Sequence, residues 1–332
     1  RELEYPIPNP EPICKVLSGA REDERLDILH VDNGNPSIIA ENLGPSTEIT
    51  KCLVENLSDG AVLSFGLESA DPHVHQMNWL NCDPKQLKIA IKHINDFGRE
   101  KGERGLPKLL PGLNFIAGLN GETKKSYDMN LKLLEDLRSD GLWLRRINIR
   151  QVEGQGFQEI SESDFRSFKK KVREEIDKPL LEEIFPIGSE LSKIWWESQG
   201  DRIRRPEQVK DPLFRSSSIY GKSGITFGRQ IGAYPILIGV PYLIPLETSS
   251  NILVTGHGMR SISGVEIGLD INSVSQQQLE SIPGIGKKAA WRIISSRAKA
   301  SRSSKIPFDS VEMAFEMAQV DLSPIAEKVL SI

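Results

Sequence analysis

The sequence predicts an α/β fold followed by a small β-rich domain and a helical tail, on three observations. Short apolar runs alternate with helical patterns through the first 150 residues or so. Glycine- and proline-punctuated runs without helical periodicity then occupy 211 to 270. The final stretch, 271 to 332, places a Pro-Gly-Ile-Gly hairpin directly before a helix.

The apolar runs are LDILHVD (26 to 32), AVLSFGLES (61 to 69), LPGLNFIAGL (110 to 119) and LWLRRINIR (142 to 150). Between them, Leu87, Ile91 and Ile94 follow Pro84, and Tyr127, Leu131 and Leu134 follow Thr123, each set on one helical face. Strands alternating with helices pair in parallel, and ligands then gather at the carboxyl ends of the strands. Asp32, Asn33, Glu68, Ser69, Gly118, Glu122 and Gln151 fall there. Four strands cannot close a barrel, so the sheet is open or a fragment of something larger. In the last run, alternation places Arg146, Asn148 and Arg150 on one side, against Arg145, Ile147, Ile149 and Gln151 on the other. Stacked guanidinium and amide groups are costly to desolvate, which implies a wet cavity or a bound polar ligand.

Residues 160 to 200 read as a join: FRSFKKKVREEIDKPLLEEIF is a charged helix with a solvated outer face, and Trp195 and Trp196 are expected to bury against a neighbouring domain. GRQIGAYPILIGVP (228 to 241), LETSSNILVTGHG (246 to 258) and MRSISGVEIGLD (259 to 270) suggest a small antiparallel barrel. His73, His75 and Cys82 superficially invite a metal, but without a fourth ligand a surface turn after the strand is the expectation. His30, beside Asp32, is either a substrate contact or a core histidine.

In LESIPGIGKKAAWRIISSR (279 to 297) the two glycines let the chain turn tightly, and the first N–H groups of the following helix lack intrahelical partners. Gly284, Ile285 and Gly286 with Lys287 and Lys288 are thus suited to a phosphate oxygen. Lys287, Lys288, Arg292, Arg297, Lys299, Arg302 and Lys305 lie between Ser281 and Phe308, with no acidic residue among them. Backbone and lysine contacts predict RNA or DNA binding that depends on salt and not on sequence. The alternative is a compact helical cap or a protein contact.

The chain's 332 residues suit two or three domains, and 38% hydrophobic with 27% charged residues is ordinary for a globular protein. No apolar run reaches membrane-spanning length. Cys14, Cys52 and Cys82 are widely spaced, which predicts no disulfide framework and a reducing cytoplasm.

FGLESADPHV (65 to 74), NFIAGLNGET (114 to 123) and LRRINIRQV (144 to 152), in this order and spacing, resemble the later strands of radical S-adenosylmethionine enzymes. More narrowly, nearly the whole chain is similar to archaeal members with a TRAM-like barrel and a helix-hairpin-helix at the C-terminus. That resemblance implies a partial (βα) TIM-like barrel over 1 to 200 lacking its cluster-binding N-terminus, a TRAM-like domain over 211 to 270 and a helix-hairpin-helix over 271 to 332. It implies S-adenosylmethionine held by Glu68, Ser69, Asn114, Gly118, Gly121, Arg146, Asn148 and Arg150. Glu68 and Ser69 would meet the ribose hydroxyls or methionine amino group, the glycines the adenine, and Arg146, Asn148 and Arg150 the methionine carboxylate or an anionic substrate. Asn120 stands where the family often has proline, which predicts a looser turn. The family also holds a 4Fe-4S cluster on a CxxxCxxC run that reductively cleaves S-adenosylmethionine. The three cysteines here exclude that run, so the expectation is a sequence truncated at its N-terminus, or else a degenerate homologue that binds nucleic acid without catalysis. A plausible substrate is a nucleotide within RNA, such as tRNA. An ordinary barrel lyase or aldolase is disfavoured, since no lysine ends a strand.

Overall fold

A computed structural model describes residues 5–152, 154, 158–159, 161–197, 224–301 and 306–332. Residues 211 to 223 of the expected β-rich domain, and Arg302 and Lys305 of the basic segment, lie outside these. The chain forms two compact units, one of residues 1–184 with Gly232–Pro235, the other of 185–231 and 236–332.

The first unit is a mixed α/β body around a four-stranded parallel sheet, ordered β1-β2-β3-β4. Its strands are β1 (Asn33–Gly34), β2 (Ala61–Glu68), β3 (Leu109–Ala117) and β4 (Arg146–Gln151). Helices α1 (Pro10–Arg21), α2 (Pro36–Glu41) and α3 (Leu43–Asn56) flank β1, α4 (Pro72–Asn78) and α5 (Pro84–Gly98) join β2 to β3, and α6 (Lys124–Ser139) joins β3 to β4. No strand forms over 26 to 32, where one was expected, and the two-residue β1 follows that span. The segment before it keeps only single ties to β2 and its approach, such as the Ser64 N–H to the Asp32 carbonyl and the Ser58 N–H to the Leu29 carbonyl, too few for a ladder.

Helix α5 shows how sequence sets position. Asp83 caps it, accepting from the N–H groups of Lys85 and Gln86, and Pro84 occupies its first turn. Leu87, Ile91 and Ile94 are fully buried on its inner face. At its far end Asn95 donates to the Trp143 carbonyl and accepts from the Trp143 N–H, which fixes the chain as it enters β4.

After β4 come α7 (Glu162–Lys171), a π-helical turn (Val172–Asp177) and α8 (Lys178–Ile184). This segment is not only a solvated face. Phe165, Phe168, Val172, Ile176 and Leu180 bury in the core, with the Phe168 ring stacked on Tyr127 at 5.3 Å. Three- and four-residue spacing carries this apolar stripe between the charges.

Cys14 and Cys52 form a disulfide between α1 and α3, which corrects the expectation of no disulfide. Sequence separation says nothing about distance in space, and the two helices pack side by side. Cys82 is buried and free.

In the second unit β5 (Glu190–Trp196), β6 (Thr226–Gln230), β7 (Leu237–Val240), β8 (Ser249–His257) and β9 (Ser261–Glu266) close a barrel in the order β5-β6-β7-β9-β8. It is not wholly antiparallel, since β7 and β9 run parallel. Its first strand lies inside the span read from sequence as the first domain. Trp196 is buried within the barrel, its indole N–H donating to the Ser250 hydroxyl, whereas Trp195 is 40% exposed, so the expected burial of both against a neighbouring domain is corrected. Trp196 pairs with Gly228, where a Cβ would stand 2.6 Å from the indole ring.

Helices α9 (Gln276–Ser281), α10 (Lys287–Ala300), α11 (Val311–Ala318) and α12 (Pro324–Val329) complete this unit, and β10 (Leu269–Asp270) pairs with β11 (Leu330–Ser331).

Candidate functional site

In the first unit a cavity of about 310 Å³ is lined by Asp32, Asn33, Ser64, Glu68, Asn114, Phe115, Ile116, Arg146, Asn148, Arg150 and Tyr234. Strand register builds it. Ser64, Gly112 and Arg146 form one cross-strand row, Gly66, Asn114 and Asn148 the next, and Ile116 pairs with Arg150. Space requires glycine at Gly112, whereas the neighbour of Gly66 is the far end of a flexible side chain. A Cβ on Gly66 would stand 2.7 Å from Glu68 Oε1, and one on Gly112 would meet Val62 at 2.9 Å and Ser64 Oγ at 3.2 Å.

The polar groups are ordered by one another. Arg146 Nε donates to Asn148 Oδ1 (3.1 Å), and Asn148 Nδ2 donates to Asn114 Oδ1 (2.8 Å). The Tyr234 hydroxyl donates to the Asp32 carboxylate, and Arg146 lies 4.4 Å over the Tyr234 ring. That hydrogen bond is the main cause holding the Asp32 carboxyl below its usual range, with His30 and Arg146 assisting against burial. The His30 ring packs edge-on against Tyr234 at 4.9 Å, and its Nε2 lies 3.6 Å from Asp32. Among the described residues, neither Arg146 nor Arg150 has an ion-pair partner within 4.0 Å.

Glu68 is the most unusual residue of the cavity. It ends β2 at a break in the register with φ of +68°, a left-handed conformation that costs a non-glycine residue about 1 kcal/mol or more. Its Oε2 is buried without a partner among the described residues, and burial raises its pKa although Arg150 pulls the other way. A raised carboxyl pKa favours the fold below the unfolded-state value, and that contribution is lost as pH rises through the folded value. Glu68→Gln is therefore expected to stabilise the chain by on the order of 1 kcal/mol at neutral pH, by removing an unsatisfied charge. The gain should vanish near pH 4, where both side chains are neutral. Melting curves across that range check it, and a gain that persists in acid would refute the buried-charge account.

Of the residues expected from sequence to hold a ligand, Glu68, Asn114, Arg146, Asn148 and Arg150 line the cavity together. Ser69, Gly118 and Gly121 do not. Ser69 is buried, its hydroxyl accepting from the Asp71 N–H and its carbonyl from the His75 ring. The Gly118 N–H is taken by Glu122 Oε2 at 3.2 Å and the Gly121 N–H by Gln158 Oε1 at 2.9 Å. At Gly118, φ of +97° and a Val152 carbonyl 2.5 Å from any Cβ make glycine a steric requirement of the turn itself. In the same turn, the Asn120 backbone N–H and carbonyl are both bound by the Asn78 side chain. Glu122 is buried ahead of α6, and burial raises its pKa. Sequence reading missed Ser64 and Tyr234. Ser64 is recoverable from the alternation Ser64, Gly66, Glu68, whereas Tyr234 lies far away in a β-rich run and left no signal.

His73 and His75 lie on α4, not in a surface turn, and the described residues contain no group of three or more candidate metal ligands. The cysteines do not suit an iron-sulfur cluster, with Cys14 and Cys52 bonded to each other and Cys82 alone and buried.

In the tail, Gly284 turns at φ of +95° and Gly286 caps α10 without a side-chain hydrogen bond. Gly284, Gly286, Lys287 and Lys288 are exposed, while Ile285 is buried and anchors the hairpin from within. Two of the basic residues serve the fold: Arg292 donates to the Gln319 carbonyl and Arg297 to those of Ile271 and Val274. Among the described residues no helix is long and apolar enough to cross a membrane.

Fold and site thus define a mixed α/β protein with a polar, arginine-rich cavity and a closed five-stranded barrel. No family model matches the chain. It is 35% identical over 299 residues to an uncharacterized protein of Archaeoglobus fulgidus, covering 86% of this chain and 52% of that protein. It is also 35% identical over 272 residues to an uncharacterized protein of Methanocaldococcus jannaschii, covering 79% and 46%. The chain spans about half the length of the curated relatives it matches.

Proposed function

We propose that this chain is the S-adenosylmethionine-holding and nucleic-acid-holding part of a radical S-adenosylmethionine enzyme that acts on RNA. The observation that carries the proposal is Glu68, held in a strained backbone in the wall shared with Arg150 and Arg146, with a carboxylate oxygen that has no partner among the described residues. A cavity with two arginines lacking ion-pair partners among the described residues, and one carboxylate with a buried oxygen, suits a zwitterion, such as the amino acid end of S-adenosylmethionine. The sequential order β1-β2-β3-β4 supports a partial (βα) barrel over a doubly wound sheet, whose order would reverse partway. In this reading, Arg146 and Arg150 bind the carboxylate, Glu68 the ammonium group, and Asn114 and Asn148 fix Arg146. The cluster that supplies the radical chemistry would need ligands from outside these 332 residues, and no step is assigned to it. The second unit would contribute a TRAM-like barrel and a helix-hairpin-helix that hold the RNA. A cytoplasmic setting belongs to the same proposal, and disulfides do occur inside cells of hyperthermophilic archaea.

Calorimetric titration of the intact chain with S-adenosylmethionine tests the cavity. Saturable one-to-one binding is expected, and its absence up to millimolar ligand would remove the reading. The tail is tested with a short RNA at increasing salt, where affinity should fall steeply and with little regard to sequence. Replacing Lys287 and Lys288 with Gln should lower the slope of log affinity against log salt by up to about two. A slope that ignores both lysines would assign the hairpin to packing or protein contact. The competing reading, a nucleic-acid-binding protein without catalysis, rests on the exposed hairpin with Lys287 and Lys288 alone. It predicts RNA binding with no response to S-adenosylmethionine.

A further inference from the structure

Residues 232–235 belong to the first unit although β6 and β7 flank them in sequence, and Tyr234 lies in the cavity wall. Nothing in the proposed function uses it. Its hydroxyl is bound by Asp32, its ring carries the Arg146 guanidinium on its face at 4.4 Å, and its backbone carbonyl accepts from Arg145 at 3.3 Å. Arg146 is thus held twice: Nε is fixed by Asn148, and the flat face rests on the tyrosine. An arginine side chain loses rotamer entropy on binding, so a guanidinium already held in place binds an anion more tightly and with a defined direction.

We propose that Tyr234 is a positioning residue that sets the cavity's selectivity for a carboxylate: clasped by Asp32, its ring holds Arg146 so that the terminal guanidinium nitrogens are left for the ligand. The carboxylate in question rests on the S-adenosylmethionine reading above, whereas the clasp itself does not. The attraction of a cation to an aromatic face, stronger where water is excluded, biases the arginine toward one rotamer.

Two measurements on the intact chain separate these points. Hydrogen exchange of a peptide spanning 232–235, without ligand, should speed at least about threefold in Asp32→Ala and Tyr234→Phe. Unchanged exchange in both variants overturns the clasp, whether or not S-adenosylmethionine binds. The second measurement is the affinity ratio of S-adenosylmethionine to its decarboxylated analogue. Tyr234→Ala should lower that ratio about tenfold, Tyr234→Phe about threefold because the ring remains, and neither should lower it further in an Arg146→Ala background. A purely structural role would weaken both ligands equally, and an unchanged ratio overturns the positioning role. If the unaltered chain binds neither ligand, the proposed function falls and exchange alone decides the clasp. Tyr234→Phe removes a single oxygen, so the comparison survives if Tyr234→Ala fails to fold.

Discussion

Gly98→Ala is expected to destabilise the first unit by more than about 3 kcal/mol, the upper part of the range for overpacked cores. Gly98 ends α5 where the helix meets β3, and an ideal Cβ there would lie 2.0 Å from the Leu109 carbonyl oxygen. The obstacle is backbone, and Leu109 is paired with Ala61 of β2, so no side-chain rotation relieves the clash. The helix must lift away, loosening Leu87, Ile91 and Ile94 together. For a unit of this size the melting point should fall by roughly 6–12 °C. Gly19→Ala in α1, with nothing within 4 Å of the added carbon, is the control, expected to be neutral or stabilising by up to about 1 kcal/mol. Equal melting points for Gly98→Ala and the parent chain would show that α5 does not approach β3 this closely.

The second large effect is expected at the two arginines. Arg146→Ala or Arg150→Ala should weaken S-adenosylmethionine binding about 10- to 100-fold, the worth of one hydrogen bond to a charged group at about 1.5–3 kcal/mol, and the double replacement by more than 100-fold. Melting should be little changed, because Arg150 makes no ion pair among the described residues and Arg146 is held mainly by cavity residues. Loss of folding with affinity intact would make these arginines structural and take the zwitterion reading with it.

The site was half legible before the fold was known. Period-two alternation in RINIR placed Arg146, Asn148 and Arg150 on one face, a strand end placed Glu68 near them, and Asn114 came only from the family resemblance. Parallel pairing then followed from alternating strands and helices. Ser69, Gly118 and Gly121 drew attention for the same reason, yet their polar groups are used inside their own turns. A glycine required by a turn and one required by a ligand look identical in sequence.

By itself the sequence determined what short-range physics controls: the helical face of Leu87, Ile91 and Ile94, the polar face of β4, the glycine turn before α10 and the exposure of Lys287 and Lys288. Only the tertiary structure decided what depends on distance through space. It joined Cys14 to Cys52, placed β5 in a barrel whose other strands lie beyond residue 224, and set Tyr234 on Arg146, 88 positions away in the chain. Local patterns follow from dihedral and solvation preferences of neighbouring residues. These long-range meetings instead follow from packing, which carries no periodic trace in the chain.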